Sequence, residues 1–252
     1  MLPVAVDALG GDKAPAEILA GAKQAHAEGI PVLLVGPADL ADRGELSLHV
    51  ASEFIDMHEE PANAVRTKKD STLVVSADLV RDGKASAMIS AGNTGATMAS
   101  ALLRMGRIKG VKRPAIATPI PVPGSTPTVM LDAGANAEVE AEWLTQFALM
   151  GSVYAKARFG IAQPKVGLLS IGEEPGKGDT LRKQAYELLS DASHINFIGN
   201  VEGRDIMTEA VDVVVTDGFT GNVALKTLEG TMRTIVKALD RKSTRLNSSH
   251  RC

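Results

Sequence analysis

Five short apolar runs along the chain are each followed at once by a cluster of Gly, Asn, Asp or Thr residues. The runs occupy residues 4–6, 87–89, 129–131, 167–171 and 213–215. Uninterrupted aliphatic runs are typical of strands buried in a parallel sheet, and Gly and Asn accept the tight turn that leads from a strand into a helix. We therefore expect all five turns to lie at the carboxyl edge of one sheet, where open α/β folds bind ligands.

Strand-like and helix-like patterns alternate along the chain. Strands are predicted over residues 2–6, 32–35, 87–89, 115–120, 128–131, 166–171, 195–198 and 212–215. Helices are predicted over residues 14–28, 71–82, 95–104, 138–158 and 180–189, and from the last turn through Leu239, whereas residues 39–70 show no regular pattern. This alternation predicts an α/β fold with a mainly parallel, Rossmann-like sheet, helices on both faces, and a single domain over residues 1–239.

Two segments allow more than one interpretation or break the pattern. The apolar stripe from Val139 to Tyr154 is either a face of the core or a seam between two copies of a dimer. Residues 240–252 contain Leu246 as their only large apolar residue, so we expect this tail to be disordered. We interpret the tail as a non-native addition in place of the natural C-terminal sequence.

Composition excludes several classes of protein. A net charge of −3 and an aromatic content of 3% argue against a nucleic-acid-binding surface. The single cysteine, Cys252, cannot form a disulfide within the chain, and the five histidines lack the paired spacing of metal ligands, so we expect no metal site and no cofactor. No apolar run is long enough to span a membrane and no leader pattern is present, which predicts a cytoplasmic protein.

The loop of residues 172–179 resembles a nucleotide-binding loop but has the wrong spacing. That motif requires four residues between its glycines, followed by Lys and then Ser or Thr. Here three residues separate Gly172 from Gly176, and Gly178 follows Lys177. The chain also lacks the glycine pattern of dinucleotide-binding folds and the Gly-x-Ser-x-Gly of hydrolases, so none of these classes is expected.

The segment 90–96 is the strongest single motif. It joins a predicted strand to a predicted helix, so backbone N–H groups at the helix start and the side chains of Asn93 and Thr94 could bind an anion. The alternative is an ordinary capped helix start, since Asn and Thr commonly cap helices.

Charged residues near the strand ends add to this picture. Asp7, Asp12, Asp132 and Asp217 each lie at or near the end of a predicted strand, and Lys177 is their natural counter-charge. Separately, residues 104–113 contain five basic side chains and no acid, which is typical either of a solvated surface or of a site for an acidic partner.

At these motifs the chain resembles the bacterial phosphate acyltransferases of phospholipid synthesis. The matching segments are 7–12, 90–96, 131–136, 199–205 and 217–223. Small departures are Leu9, where the family usually has Met, and Asp179, where it usually has Asn. Family members continue well past residue 240, so the resemblance implies a C-terminally truncated chain with a non-family tail. It also implies a fold similar to that of the phosphotransacetylases.

The resemblance implies a reaction and its partners. Inorganic phosphate attacks an acyl thioester on acyl-carrier protein, and the acyl phosphate passes to a downstream membrane glycerol-3-phosphate acyltransferase. The enzyme is expected to be a homodimer, cytoplasmic or peripheral to the inner face of the membrane. Two alternatives remain: a phosphotransacetylase that uses acyl-coenzyme A, and a non-catalytic scaffold that binds acyl phosphate or the carrier.

The residue roles are hypotheses from residue chemistry and position. Asn93, Lys177, Asp217 and Asn222 are the predicted catalytic residues, with Asn222 as a donor to phosphate or to the oxyanion and Asp217 as part of an orienting network. The predicted substrate-binding residues are Gly11, Ser90, Thr94, Gly95, Asp132, Asn136 and Thr220. The predicted carrier-binding residues are Arg107, Lys109, Lys112 and Arg113, because acyl-carrier protein is acidic.

Overall fold

The computed structural model describes the backbone of residues 1–249 and the side chains of residues 1–240. The chain divides into two compact units, the first over Met1–Gly110 and the second from Val111 onward. The prediction of a single sheet is wrong, because the strands form one four-stranded and one five-stranded sheet. The prediction of an α/β fold with mainly parallel strands is confirmed. The single-domain boundary at residue 239 stays a prediction.

The first unit is a parallel four-stranded sheet with helices on both faces. Its elements are β1 (Val4–Asp7), α1 (Ala16–Ala27), β2 (Val32–Gly36), β3 (Ser47–Val50), α2 (Pro61–Thr67), α3 (Thr72–Arg81), β4 (Ala87–Ile89), α4 (Thr94–Ser100) and a short π-helix (Ala101–Met105). The sheet order is β3-β2-β1-β4. Side chains alternate along β1: Val6 packs on the α1 side with Leu19, and Ala5 packs on the α3 side with Leu79.

Local signals set the ends of α3. The Ser71 side chain accepts a hydrogen bond from the backbone N–H of Val74, and the helix ends before Asp82, which agrees with the predicted helix over 71–82. The irregular segment 39–70 contains two elements that its pattern did not predict, β3 and α2. Strand β3 is mostly exposed and therefore carries no continuous apolar run.

The second unit has a mixed five-stranded sheet in the order β5-β6-β9-β7-β8, with only β5 antiparallel. Its elements are β5 (Thr118–Ile120), β6 (Thr128–Leu131), α5 (Ala141–Phe159), β7 (Val166–Leu169), α6 (Thr180–Asp191), β8 (Phe197–Val201), a 3₁₀ turn (Gly203–Met207), β9 (Val213–Val215) and α7 (Gly218–Ser249). Strands β6, β7 and β9 are buried along their whole length, as their unbroken apolar runs predict.

Helix α5 packs its stripe against the core of the second unit. Phe147 is fully buried, and Trp143, Met150 and Tyr154 pack partly buried around the same cluster, which favours the core interpretation of this stripe.

Helix α7 begins close to where the sequence predicts it but continues to Ser249, beyond the predicted end at Leu239. The predicted tail at 240–252 includes residues 250–252, which lie outside the described residues, and its disorder and non-native origin stay predictions. None of the described helices has the length and apolar character needed to cross a bilayer.

Candidate functional site

The Asp132 carboxylate organises the loop that follows β6. It is fully buried and accepts five hydrogen bonds of 2.7–3.1 Å, from the backbone N–H groups of Ile116, Gly134, Ala135 and Asn136 and from the Asn136 side chain. The Asn136 amide also donates to the Pro114 carbonyl at 2.8 Å. Both side chains are therefore used inside the protein, and they give the loop a fixed shape.

The start of α7 lies directly on this loop because two glycines allow it. A Cβ on Gly218 would lie 2.7 Å from the carbonyl oxygen of Asn136, and a Cβ on Gly221 would overlap the carbonyl oxygen of Asp132. The Gly218 N–H also donates to that Asn136 carbonyl at 2.8 Å. The glycines of the 217–223 motif thus bring the ends of β6 and β9 together.

Asp217 lies in a buried network in the short turn between β9 and α7. Its Oδ1 accepts the backbone N–H of Thr220 at 2.8 Å, and its Oδ2 accepts the Thr220 hydroxyl at 2.8 Å and an N–H of the Arg182 guanidinium. Burial disfavours the charged form of this carboxylate, but the hydrogen bonds from Thr220 and the positive charge of Arg182 outweigh it. Together they hold the pKa of Asp217 below its usual range.

A cavity of about 390 Å³ opens beside this network, at the carboxyl end of β7. Its lining residues are Leu169, Ser170, Ile171, Gly178, Asp179, Arg182 and Thr220. The Ser170 hydroxyl oxygen is buried and has no hydrogen-bond partner among the described residues. The cavity thus combines apolar walls with a guanidinium, a carboxylate and two hydroxyl groups.

Two of the predicted catalytic side chains keep their polar ends available. Asn222 is exposed on the second turn of α7, packs over Gly134, and makes no side-chain hydrogen bond among the described residues. Lys177 is exposed in the loop before α6, and its ammonium group has no ion-pair partner within the described part of the chain. These two groups can donate to a substrate without breaking a contact inside the protein.

The first unit brings a second group of predicted residues together. The Ser90 hydroxyl donates to Asp7 Oδ2 at 2.7 Å and accepts the Gly92 N–H at 3.1 Å. Gly11 has a φ of +106°, and a Cβ there would lie 2.8 Å from the Ala91 carbonyl oxygen. The turns after β1 and β4 therefore pack closely, as expected for neighbouring parallel strands. Asp12, by contrast, is exposed.

Asn93 caps α4. Its Oδ1 accepts the Ala96 N–H at 3.1 Å, and its Nδ2 donates to the carbonyl oxygens of Met57 and Glu59 at 3.2 and 3.1 Å. A phosphate could use this amide only by displacing one of those carbonyls. The phosphate cradle at Asn93, Thr94 and Gly95 stays a prediction, while the side chain of Asn93 acts in the structure as a helix cap.

The basic segment 104–113 is not uniform. Arg104 makes a two-pronged ion pair with Asp78, so its charge is used within the first unit. The Arg113 guanidinium lies 4.9 Å from the centre of the Trp143 ring, a cation–π distance. Arg107 and Lys109 precede the boundary between the two units, and the exposed Lys112 and Arg113 follow it. Carrier binding by these four residues stays a prediction.

The predicted site residues thus form two groups, one in each unit. The first contains Gly11, Ser90, Asn93, Thr94 and Gly95, and the second contains Asp132, Asn136, Lys177, Asp217, Thr220 and Asn222. Sequence reasoning missed Arg182, although the spacing of Asp179 and Arg182 at a helix start is a readable signal for an ion pair. Among the described residues, no group of three His, Cys, Asp or Glu side chains could hold a metal ion.

Comparison with known proteins gives consistent matches. A family model described as "Fatty acid synthesis protein" matches residues 2–250, which includes most of the segment predicted to be a non-family tail. A phosphate acyltransferase from Dictyoglomus thermophilum is 46% identical over 248 residues, covering 94% of this chain and 74% of the relative. One from Elusimicrobium minutum is 52% identical over 238 residues, covering 90% and 69%. A phosphotransacetylase structure from Streptococcus pyogenes shares the fold, with a TM-score of 0.67 at 17% identity over 92% of this chain and 82% of that one.

Proposed function

The chain belongs to the fatty acid synthesis protein family and, within it, to the phosphate acyltransferases, and from this membership we propose that it transfers a fatty acyl group from acyl-carrier protein to inorganic phosphate. An oxygen of hydrogenphosphate attacks the thioester carbonyl carbon, a C–O bond forms and the C–S bond breaks. The proton of hydrogenphosphate ends on the departing sulfur. The products are an acyl phosphate and the free carrier thiol, so the reaction needs no nucleophile from the protein.

Such a reaction depends on positioning and on hydrogen-bond donors for the oxyanion that forms on the thioester carbonyl. The observation that carries the proposal is the Asn222 amide. Around the starts of α7 and of the 132–136 loop, the side chains of Asp132, Asn136, Asp217 and Thr220 are all hydrogen-bonded within the protein. Asn222 is the exception among the described residues of this cluster, so it can donate to the oxyanion or to phosphate.

The neighbouring residues take supporting roles in this proposal. Lys177 balances charge on phosphate or on the departing thiolate. Asp132 and Asn136 shape the loop on which α7 rests, and Asp217 with Thr220 fixes the first turn of that helix. We further propose that the enzyme acts as a cytoplasmic homodimer and that a membrane glycerol-3-phosphate acyltransferase consumes its product.

The test is a turnover assay with acyl-carrier thioester, with and without phosphate, that detects both free carrier thiol and acyl phosphate. Asn222→Ala should lower kcat by roughly two to three orders of magnitude, the usual effect of losing one oxyanion donor. Thr227→Ala, an exposed change on the same helix, is the matched control and should retain full turnover. Near-normal turnover in Asn222→Ala would refute the role of this residue.

The same assay distinguishes the alternatives. Replacing the carrier thioester by the corresponding acyl-coenzyme A should reduce kcat/KM strongly. Equal or better use of acyl-coenzyme A would instead indicate a phosphotransacetylase. Binding of the carrier without phosphate-dependent loss of the thioester would indicate a non-catalytic scaffold.

A further inference from the structure

Arg182 is a mostly buried cation beside the site described above. Its side chain is only 13% exposed, although it lies in the first turn of α6. Its Nη1 donates to Asp179 Oδ2 at 2.9 Å, and its Nη2 donates to Asp217 Oδ2 and, at 3.1 Å, to the Thr220 hydroxyl. One guanidinium therefore joins the start of α6, the turn after β9 and the first turn of α7.

The charges around Arg182 argue against a direct role in phosphate binding. Two carboxylates, Asp179 and Asp217, already face this one guanidinium. A phosphate in contact with it would add further negative charge beside both of them. The planar fork of Arg is well suited to holding two acceptors in a fixed relative geometry, which a lysine ammonium does less well. The arrangement is therefore better suited to fixing protein groups than to binding an anion.

The group that this network fixes is the first turn of α7. Thr220 is held to Asp217 through both its N–H and its hydroxyl, and the same hydroxyl accepts from Arg182. Asn222 follows two residues later on the same helix. We propose that Arg182 is a positioning residue that acts through Asp217 and Thr220 to set the orientation of the Asn222 amide. This rests on the proposed function, in which Asn222 is the donor to substrate.

The proposal also assigns Asp217 an anchoring role and excludes it as a proton carrier. Its carboxylate is kept ionised by Thr220 and Arg182 against the opposing effect of burial. Among the described residues, the other charged groups around it are Asp179, which immediately precedes α6, and Asp132, whose Oδ2 lies 2.9 Å from where a Cβ on Gly218 would be. Both are acids, so Arg182 is the cation that maintains the charge of Asp217.

The experiment compares Arg182→Gln, Arg182→Lys and the control Lys183→Gln, which removes an exposed charge from the next position of the same helix. Arg182→Gln should lower kcat/KM at pH 7 by roughly a hundredfold, the scale expected for a donor misplaced by about 1 Å. The acid limb of its pH–rate profile should move to higher pH, because the pKa of Asp217 rises without the guanidinium. Arg182→Lys should recover part of both effects, and Lys183→Gln should match the wild type.

Two outcomes would overturn the proposal. One is an Arg182→Gln variant with the wild-type rate and pH profile. The other is a lower rate with an unmoved acid limb and no recovery in Arg182→Lys, which would mean that Arg182 supports folding alone.

A second measurement covers the case in which Arg182→Gln does not fold. A ¹³C NMR titration of the Asp217 carboxyl in the wild type and in Arg182→Lys should give a lower pKa in the wild type. Equal values would refute the anchoring role. This titration requires no turnover, so it tests the contact separately from the function. If the wild-type protein were inactive but its Asp217 pKa were lowered, the acyltransferase function would be refuted while the Arg182–Asp217 contact would still be supported.

Discussion

At the scale of single residues, the same side-chain type has different uses in the two units. Asn93 and Asn222 each lie in a Gly-rich motif that follows a strand, and the sequence predicts the same role of anion donor for both. In the structure, both the oxygen and the nitrogen of the Asn93 amide are hydrogen-bonded within the protein, whereas the Asn222 side chain is exposed. The difference depends on residues 57–59, which lie far from Asn93 in sequence and cannot be found from the motif itself.

This difference leads to a prediction for Asn93. Asn93→Ala removes the cap of α4 and the bonds to two carbonyls, and should lower the free energy of unfolding by about 1–3 kcal/mol. Asn93→Ser should recover part of this loss because Ser also caps helices, and its KM for phosphate should remain unchanged. Chemical denaturation and steady-state kinetics provide the two readouts. A stable Asn93→Ser variant with a clearly raised KM for phosphate would instead support the predicted cradle.

At the scale of elements, most helices and strands could be predicted because their signals are local. Ser71 and Asp179 each accept a backbone N–H at the start of a helix, and both helices begin where the sequence predicts, within one residue. The elements that were missed are β3 and α2. Helix α2 is only seven residues long, so its buried residues Ala64 and Val65 are too few to show a helical period. Strand β3 pairs only with β2 at the sheet edge, so its sequence carries little hydrophobic pattern.

The basic segment 104–113 supports a prediction at this scale. Arg104 is excluded from carrier binding because Asp78 holds it, so the charge reversal is best made at the exposed Lys109 and Lys112. The double change to Glu should weaken carrier binding roughly tenfold at low salt, since exposed ion pairs contribute about 0.2–1 kcal/mol each. The difference in carrier affinity between the variant and the wild type should become smaller as salt is added.

Calorimetric titration at two ionic strengths measures this effect. Lys23→Glu combined with Lys84→Glu, two exposed changes outside the segment that alter the net charge by the same amount, is the control for net charge alone. Equal carrier affinity of the double variant and the wild type at low salt would remove the segment from the docking surface.

At the scale of the whole molecule, the sequence predicts the class of fold but not the number of sheets. Each strand-to-turn site is a local feature, whereas the partner of each strand is decided by pairing across long separations, such as β6 with β9. Arg182 illustrates the same limit of sequence-based prediction, because only one of its two ion pairs is local in sequence. Its pairing with Asp179 at i and i+3 is readable from sequence, but its contact with Asp217, 35 residues away, requires the folded sheet.

That long-range contact should be visible in the stability of the whole protein. Because the pKa of Asp217 is lower in the folded state than in the unfolded chain, its ionisation stabilises the fold at pH values above the unfolded pKa of about 3.9. This contribution is lost as the pH falls through the lower, folded value. Asp217→Asn should therefore lower the free energy of unfolding by about 1–3 kcal/mol at pH 7. The difference in this free energy between the variant and the wild type should become smaller below about pH 4.

Denaturant unfolding from pH 7 down to pH 3 tests this dependence. The control is Asp191→Asn at the exposed end of α6. The Asp191 carboxylate makes no hydrogen bond among the described residues, so this change should leave the pH dependence of the free energy of unfolding as in the wild type. If the free energies of unfolding of Asp217→Asn and the wild type differ by the same amount at every pH in this range, the effect is steric and not ionic. The Arg182–Asp217 pair would then lose its role as the charged link between α6 and α7, and the proposal for Arg182 would fail with it.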